Sequence, residues 1–348
     1  MKTPFLFFFL FVSISIISQN TLRGRITGKD NIPLEGVNVY FDGTTISTIS
    51  DSNGNYALQY EPNSNGILVI SFVGYEREYL TSIDASKSLD IKMKISKNEL
   101  REVVINKNDL FTRKQKLKLF KEYFLGTTKN AKSTIIKNED DIHFKYDKKK
   151  LLLIASSDKP LSIVNTSLGY RIDYELVGFE ITFNKISIDS KDVVNNFYQG
   201  VSRFIEIEHS SEILGRREKA FEGSQLQFFR NFASNNWGSD KFLLTNDSNS
   251  LDSTKRFKIT NENDSVKVEV LRQPKGESKN EENLQNIVAS YNLIYNNTET
   301  SKIVFQTNSF YIYKYGNNSN IDSILFLGKI TEKKVADMLP LNYGIESL

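Results

Sequence analysis

The chain has 348 residues, with 45 Lys and Arg against 42 Asp and Glu, and no cysteine. That length exceeds a usual single core and predicts two or three domains. A net charge of +3 excludes the cationic field that holds a nucleic-acid backbone, and the missing thiols exclude disulfide staples, thiolate catalysis, zinc-thiolate sites and a lipid anchor on cysteine.

In chain order, "MKTPFLFFFLFVSISIISQN" places Lys2 before an apolar run from Phe5 to Val12. It reads as a secretory signal peptide over residues 1–18, cut after Ser18, and its serines and short apolar run argue against a retained membrane span. No later segment approaches the length of a transmembrane helix. The expected destination is the periplasm or the outer-membrane surface, with any membrane attachment coming through a partner.

Residues 20 to about 105 alternate like short strands broken by turns. "PLEGVNVYFDG" puts Val37, Val39 and Phe41 on one face, "YALQY" puts Tyr56, Leu58 and Tyr60 on another, "ILVISFVGY" is a continuous apolar run, and "LDIKMKI" alternates Leu89, Ile91, Met93 and Ile95 with charges. About seven strands at this spacing predict a small antiparallel β-sandwich.

Between two of these strands, "DSNGNYAL" (Asp51 to Leu58) has the alternating Asp51, Asn53 and Asn55 of a calcium loop. A loop of that kind needs Gly at position 6 and Glu at position 12. Here those positions hold Tyr56 and Pro62. A hairpin turn is the expectation instead, with Asp51 bonding ahead to backbone and Asn53-Gly54 at positive φ. Gly36, Gly43 and Gly74 read as backbone devices, and Tyr56 and Tyr75 as packing residues.

These residues also carry a resemblance. The Pro33–Gly36 turn, Gly43-Thr44-Thr45, Asp51 to Tyr56, Phe72-Val73-Gly74-Tyr75 and the closing Glu99 to Ile105 occur in the order seen in the carboxypeptidase regulatory-like domain. The resemblance implies a seven-stranded transthyretin-like sandwich that serves as an accessory, binding or spacing module without catalytic residues. Such a domain also precedes the plug and barrel of TonB-dependent outer-membrane receptors, but the roughly 240 residues after Ile105 are too few for a plug and a barrel of that size.

Beyond Ile105, Phe120, Tyr123 and Phe124 make one apolar helical face that ends near Gly126. Core packing is its expected use and a membrane-surface helix the alternative. "LGYRIDYELVGFEITFNKISID" continues as a meander, and "ILGRREKAFEGSQLQFFRNFASNNW" gathers Phe221, Phe228, Phe229 and Phe232 at near-helical spacing. A long polar loop is expected over Arg272 to Asn286, and a short helix at "TEKKVADMLP". Several phrases here, "LFKEYFLGTTKNA", "PLSIVNTSLGYRIDYELVGFE" and "ILFLGKITEKKVADMLPLNYG" among them, are similar to exported bacterial proteins of unassigned biochemistry that carry the regulatory-like domain in front.

Catalytic equipment is sparse. Asp141 and His143 share a face if both lie on a strand, Ser210 and Ser211 stand beside His209, and Glu206 and Glu208 alternate in "FIEIEH". Each has a blander use as surface polarity, and no zincin, nucleophile-elbow, Walker or dinucleotide motif occurs. The expected fold class is therefore mostly β: a seven-stranded transthyretin-like sandwich over 20–105, then a mixed β-rich domain over 106–348 with helices near 111–125, 213–235 and 331–339. The expected role is a non-enzymatic envelope protein for binding, adhesion or assembly, without cofactor, metal or nucleic acid. A dispersed-site hydrolase and an accessory of a TonB-dependent transporter are the alternatives.

Overall fold

Among the described residues, the first unit contains the short strands β1 (Asn20–Thr27), β2 (Asn38–Phe41), β3 (Ser47–Ile49), β4 (Asn55–Tyr60), β5 (Leu68–Ser71), β6 (Glu78–Leu80) and β7 (Ile91–Lys92). The computed structural model describes residues 20–60, 66–84, 87–96, 109–238, 241–246, 249–263, 265–271 and 287–345. The signal peptide expected over 1–18, the Glu99–Ile105 signature and the polar loop expected over 272–286 lie outside these residues. Two sheets, ordered β4-β1-β7 and β3-β2-β5-β6, enclose Leu22, Val39, Phe41, Leu58, Ile70 and Met93, which are the inward members of the period-2 pattern. One pair departs from the antiparallel expectation: β7 runs parallel to β1 through Ile26 and Ile91. β1 and β7 are joined through β2–β6 of the sandwich, a connection long enough to permit parallel pairing where a tight hairpin does not.

The next unit comprises α1 (Arg113–Phe124), α2 (Lys129–Lys132), β8 (Thr134–Ile136), β9 (Ile142–Asp147), β10 (Leu152–Ser157), β11 (Leu161–Asn165), β12 (Tyr170–Phe183) and β13 (Val193–Glu206). α1 starts at a capping box, in which the Gln115 N–H donates to Thr112 Oγ1 (3.3 Å) and the Thr112 N–H to Gln115 Oε1 (2.9 Å). Its apolar face, Leu119, Phe120 and Phe124, is buried in the protein core, with the Phe120 ring 4.6 Å from that of Phe179. The long β12 is shared. β11 pairs with its first half and β10 with its second, while β13 follows its other side from Tyr170 to Phe183 with a register shift at Val177.

The third unit is α3 (Ser211–Phe221), α4 (Gln225–Ala233), β14 (Phe242–Asn246), β15 (Asn249–Ser250), β16 (Phe257–Glu262), β17 (Ser265–Val270), β18 (Ala289–Tyr295), β19 (Glu299–Phe305), β20 (Ser309–Tyr313) and β21 (Ile324–Gly328). Its sheets, β15-β14-β18-β19-β21 and β16-β17-β20, meet over Phe228, Phe229 and Phe232 of α4. Phe228 lies edge-on to Phe242 at 5.3 Å, and Phe232 to Phe257 at 4.7 Å. The residues after Ile105 thus contain two apolar cores rather than one.

Two helical expectations change. The single helix expected over 213–235 is broken into α3 and α4, because Gly223 takes φ +66° and Ser224 caps the second helix from its side chain. The helix expected over 331–339 is instead a pair of 3-10 turns, Lys329–Glu332 and Val335–Asp337. Between them Lys333 and Lys334 are extended, which sends adjacent side chains opposite ways. Lys333 Nζ donates to the Lys219 and Ala220 carbonyls at the end of α3 (3.0 Å each), and Lys334 Nζ to the Tyr123 carbonyl at the end of α1 (3.0 Å). Each ammonium thus meets carbonyls that a helix end leaves without partners.

Among the described residues no helix is long and apolar enough to cross a membrane. Phe228→Ala is expected to cost about 3–5 kcal/mol, read as a lower midpoint in denaturant unfolding.

Candidate functional site

The Asp51 carboxylate is consumed locally. Its Oδ1 accepts the N–H groups of Asn53 (2.9 Å) and Asn55 (2.8 Å), and its carbonyl accepts that of Gly54 (2.9 Å). Gly54 has φ +78°, and a Cβ there would stand 2.4 Å from the Ile26 carbonyl oxygen. Two details correct the sequence expectation. Asn53 is not among the positive-φ residues, and the turn is not a hairpin, because β3 pairs with β2 while β4 pairs with β1. It carries the chain from one sheet to the other.

The remaining signature residues lie around the same module. Gly36 (φ +80°) donates to the Ser50 carbonyl at 3.0 Å. Tyr56 is buried, and its hydroxyl donates to the Leu89 carbonyl at 2.9 Å. Gly74 (φ +85°) turns the chain so that Tyr75 bridges to Ile95 and packs 5.5 Å from the Phe72 ring. Gly43 belongs to a different structure, described below.

The histidines do not meet. His143 Nε2 lies 3.1 Å from Asp158 Oδ2, not beside Asp141, which falls in the 3-10 turn Glu139–Asp141 before β9 and takes Lys159 at 3.5 Å. The i, i+2 geometry fails because only one of the two is on the strand. His209 Nδ1 lies 2.9 Å from Glu206 Oε1, which also accepts from Arg217 Nη1 at 2.5 Å. Burial alone would raise the Glu206 carboxyl, but the hydrogen bonds from His209 and Arg217, with the charge of Arg217, hold it below the usual range.

Arg217 itself is buried, lies 4.0 Å from the Tyr170 ring centre and donates to the Leu168 and Glu208 carbonyls at 2.8 and 3.1 Å. β13 ends at Glu206, so Glu208 shares no strand face with it. Ser210 caps α3, its Oγ accepting the Ile213 N–H at 3.3 Å. Among the described residues, no three of His, Asp and Glu are grouped to hold a metal ion.

A further polar constellation, which sequence reasoning missed, lies where the sandwich meets the edge of β13. Gly43 N–H donates to the Ser202 carbonyl (2.7 Å), the Phe204 N–H donates to the Thr44 carbonyl (3.0 Å), and the Ser202 N–H donates to Asp42 Oδ1 (2.7 Å). On its other side the Gly43 carbonyl accepts from Leu341 N–H at 2.6 Å. Thr45 and Asn342 exchange two further bonds, at 3.2 and 2.8 Å. Gly43 has φ +72°, and a Cβ there would lie 2.7 Å from Leu341 Cδ1.

Around this seam Glu175 takes Arg77 (2.7 Å) and the Tyr79 hydroxyl (2.9 Å). Arg203 pairs with Asp173 (2.6 Å), reaches Asn38 and lies over the Tyr40 ring at 5.7 Å. Burial pushes the Asp42 carboxyl up to about 6 against the pull of its backbone donors. Burial also raises Glu175, with Arg77 and Tyr79 opposing. The seam holds the sandwich against β13 and the C-terminal segment by main-chain and side-chain hydrogen bonds. The sequence signals available for it were Asp42 before Gly43 and the "LPLNYG" segment, whose partners lie more than a hundred residues away.

The comparisons with known proteins fall on the sandwich. Residues 22–105 match the CarboxypepD_reg-like domain, so the chain carries that domain at its front. TonB-dependent receptor P39 of Formosa agariphila is 35% identical over 100 residues, 29% of this chain and 9% of that protein. TonB-dependent receptor SusC of Bacteroides thetaiotaomicron is 32% identical over 108 residues, 29% of this chain and 10% of that protein. The chain therefore spans about a tenth of the curated relatives it matches. A chain of a type II cohesin–X-dockerin complex from Acetivibrio cellulolyticus is similar at 20% identity over 22% of this chain and 51% of that one, with a TM-score of 0.17, too slight to bear on fold or function.

A carboxyl raised by folding favours the folded state below its unfolded pKa, and that contribution is lost as pH rises through the folded value. Asp42, shifted from 3.8 to about 6, is thus expected to make the protein less stable at pH 7 than near pH 4.5. Asp42→Asn, which keeps an oxygen for Ser202, should flatten this slope in thermal unfolding followed across pH 4 to 7. An unchanged slope would remove Asp42 as its source.

Proposed function

We propose that this chain is a non-enzymatic protein of the cell envelope, in which the regulatory-like sandwich is fixed on a larger β-rich body that binds or organises another envelope component. The observation that carries this is the match of residues 22–105 to a domain that also stands in TonB-dependent receptors. The seam through Gly43 supports it, since it makes the sandwich a fixed part of one surface. Against the hydrolase alternative stands the pairing of His143 and His209 with a single carboxylate each, Asp158 and Glu206. Service to a TonB-dependent transporter is the second reading, favoured by the names of those relatives.

The purified chain is expected to hydrolyse neither peptides nor glycans and, in intact cells, to crosslink to an outer-membrane protein. Hydrolysis that disappears in His143→Ala or Glu206→Gln would overturn the non-enzymatic assignment.

A further inference from the structure

The seam reveals which way the main chain of β13 points. Ser202 N–H and C=O and Phe204 N–H all face outward, away from β12, where Asp42, Gly43 and Thr44 take them. In an extended strand this orientation repeats every second residue, and the unbroken run on the β13 side of the β12 pairing from Phe204 to Asn195 carries it to Gly200, Tyr198 and Asn196. Among the described residues no main-chain bond reaches the outward groups of these three.

Natural sheets protect such an edge with Lys, Pro or a charge. The stretch "VVNNFYQG", Val193 to Gly200, has none of them in its own sequence, and Lys334 Nζ, which reaches it from the C-terminal segment, meets the Asn196 side chain at 3.3 Å and not its main chain. Beside it Phe197 is 43% exposed, and Val177 and Val194 are each 61% exposed, so the open edge is also flanked by apolar surface.

We propose that Asn196–Gly200 of β13 is a strand-addition site for an extended segment of about five residues from another envelope protein, with apolar side chains at the alternate positions that lie beside Phe197. The occupant follows from the continuity of this edge with one already in use: the sandwich loop docks by main-chain bonding on the next residues of the same strand, Ser202 to Phe204. An extended main chain is what that row of donors and acceptors recognises. The exposed Phe197 and Val177 favour an apolar over a charged side chain. The inference rests on the binding reading above and gives it a location.

A photo-crosslinking residue in place of Gln199, in the full chain expressed in intact cells, tests the site. The expected result is one adduct heavier than twice this chain or otherwise distinct from a self-dimer, whose crosslinked peptide alternates apolar and other residues. Asn196→Pro removes an outward N–H while leaving the β12 ladder intact and should abolish the adduct, whereas Asn196→Val, which keeps the N–H, should retain it. Phe197→Lys, a charge of the kind that protects edges, should abolish it too and serves if the proline variant fails to fold by circular dichroism. An adduct that survives both Asn196→Pro and Phe197→Lys overturns the proposal, as does an adduct with a second copy of this chain. Absence of an adduct from position 199, while the same residue at Val73 on the sandwich captures a partner, sinks the strand-addition site and leaves the binding reading standing.

Discussion

One residue, Gly43, sets the relation between the sandwich and the body. Its N–H is bound by β13 through Ser202, and its carbonyl is bound by the C-terminal segment through Leu341. Both bonds require a backbone at positive φ with no side chain between it and Leu341, which only glycine supplies without strain. Asp42 then acts as a surrogate main-chain acceptor for Ser202. Burying that carboxylate without a cation beside it is the cost, visible in its raised pKa.

The segment that closes on Gly43 also links the other two cores. Val335, Ala336 and Leu339 enter the core beneath α1. Asn165 holds the Ala336 carbonyl at 2.8 Å, and buried Asp337 accepts from Thr128 and Asn130 at 2.8 Å each. Arg230 of α4 grips the Leu341 and Tyr343 carbonyls at 2.7 Å each and that of Tyr315 at 3.2 Å. Burial lowers its pKa to about 10, so the guanidinium stays charged at neutral pH. Its donors satisfy irregular backbone that would otherwise be buried without partners. The irregular course of this segment, in place of a helix, lets one short stretch answer to three neighbours.

Functionally, the polar groups that first suggest chemistry are mostly engaged in holding backbone. Asp51 closes a turn, Ser210 caps a helix, and Arg217 ties the start of β12 to the end of β13. Among the described residues, the outward main-chain groups of Asn196, Tyr198 and Gly200 on the β13 edge have no main-chain partner, and the strand-addition proposal rests on them.

Legibility in the sequence follows the range of the interaction. Period-2 alternation was enough for the sandwich, because strands with one buried face impose that pattern locally, and the resemblance to the domain family was carried by the order of the turn and glycine motifs. The apolar face of α1 and its stop near Gly126 were likewise readable. The break at Gly223 was written in "EGS", but the phenylalanines on both sides masked it by keeping a helical spacing. The partner of His143, the parallel β7 and the division of the second half into two cores were not readable, since each depends on which distant strand lies alongside.

By itself, then, the sequence determined a mostly β chain with a regulatory-like domain in front, since backbone conformation and face burial are decided by near neighbours. Only the tertiary structure decided what Gly43, Asp42 and "LPLNYG" do, and that Asn196–Gly200 is left as an edge. The seam depends on contacts between residues 160 to 297 positions apart, and no local pattern encodes the partner of a backbone hydrogen bond.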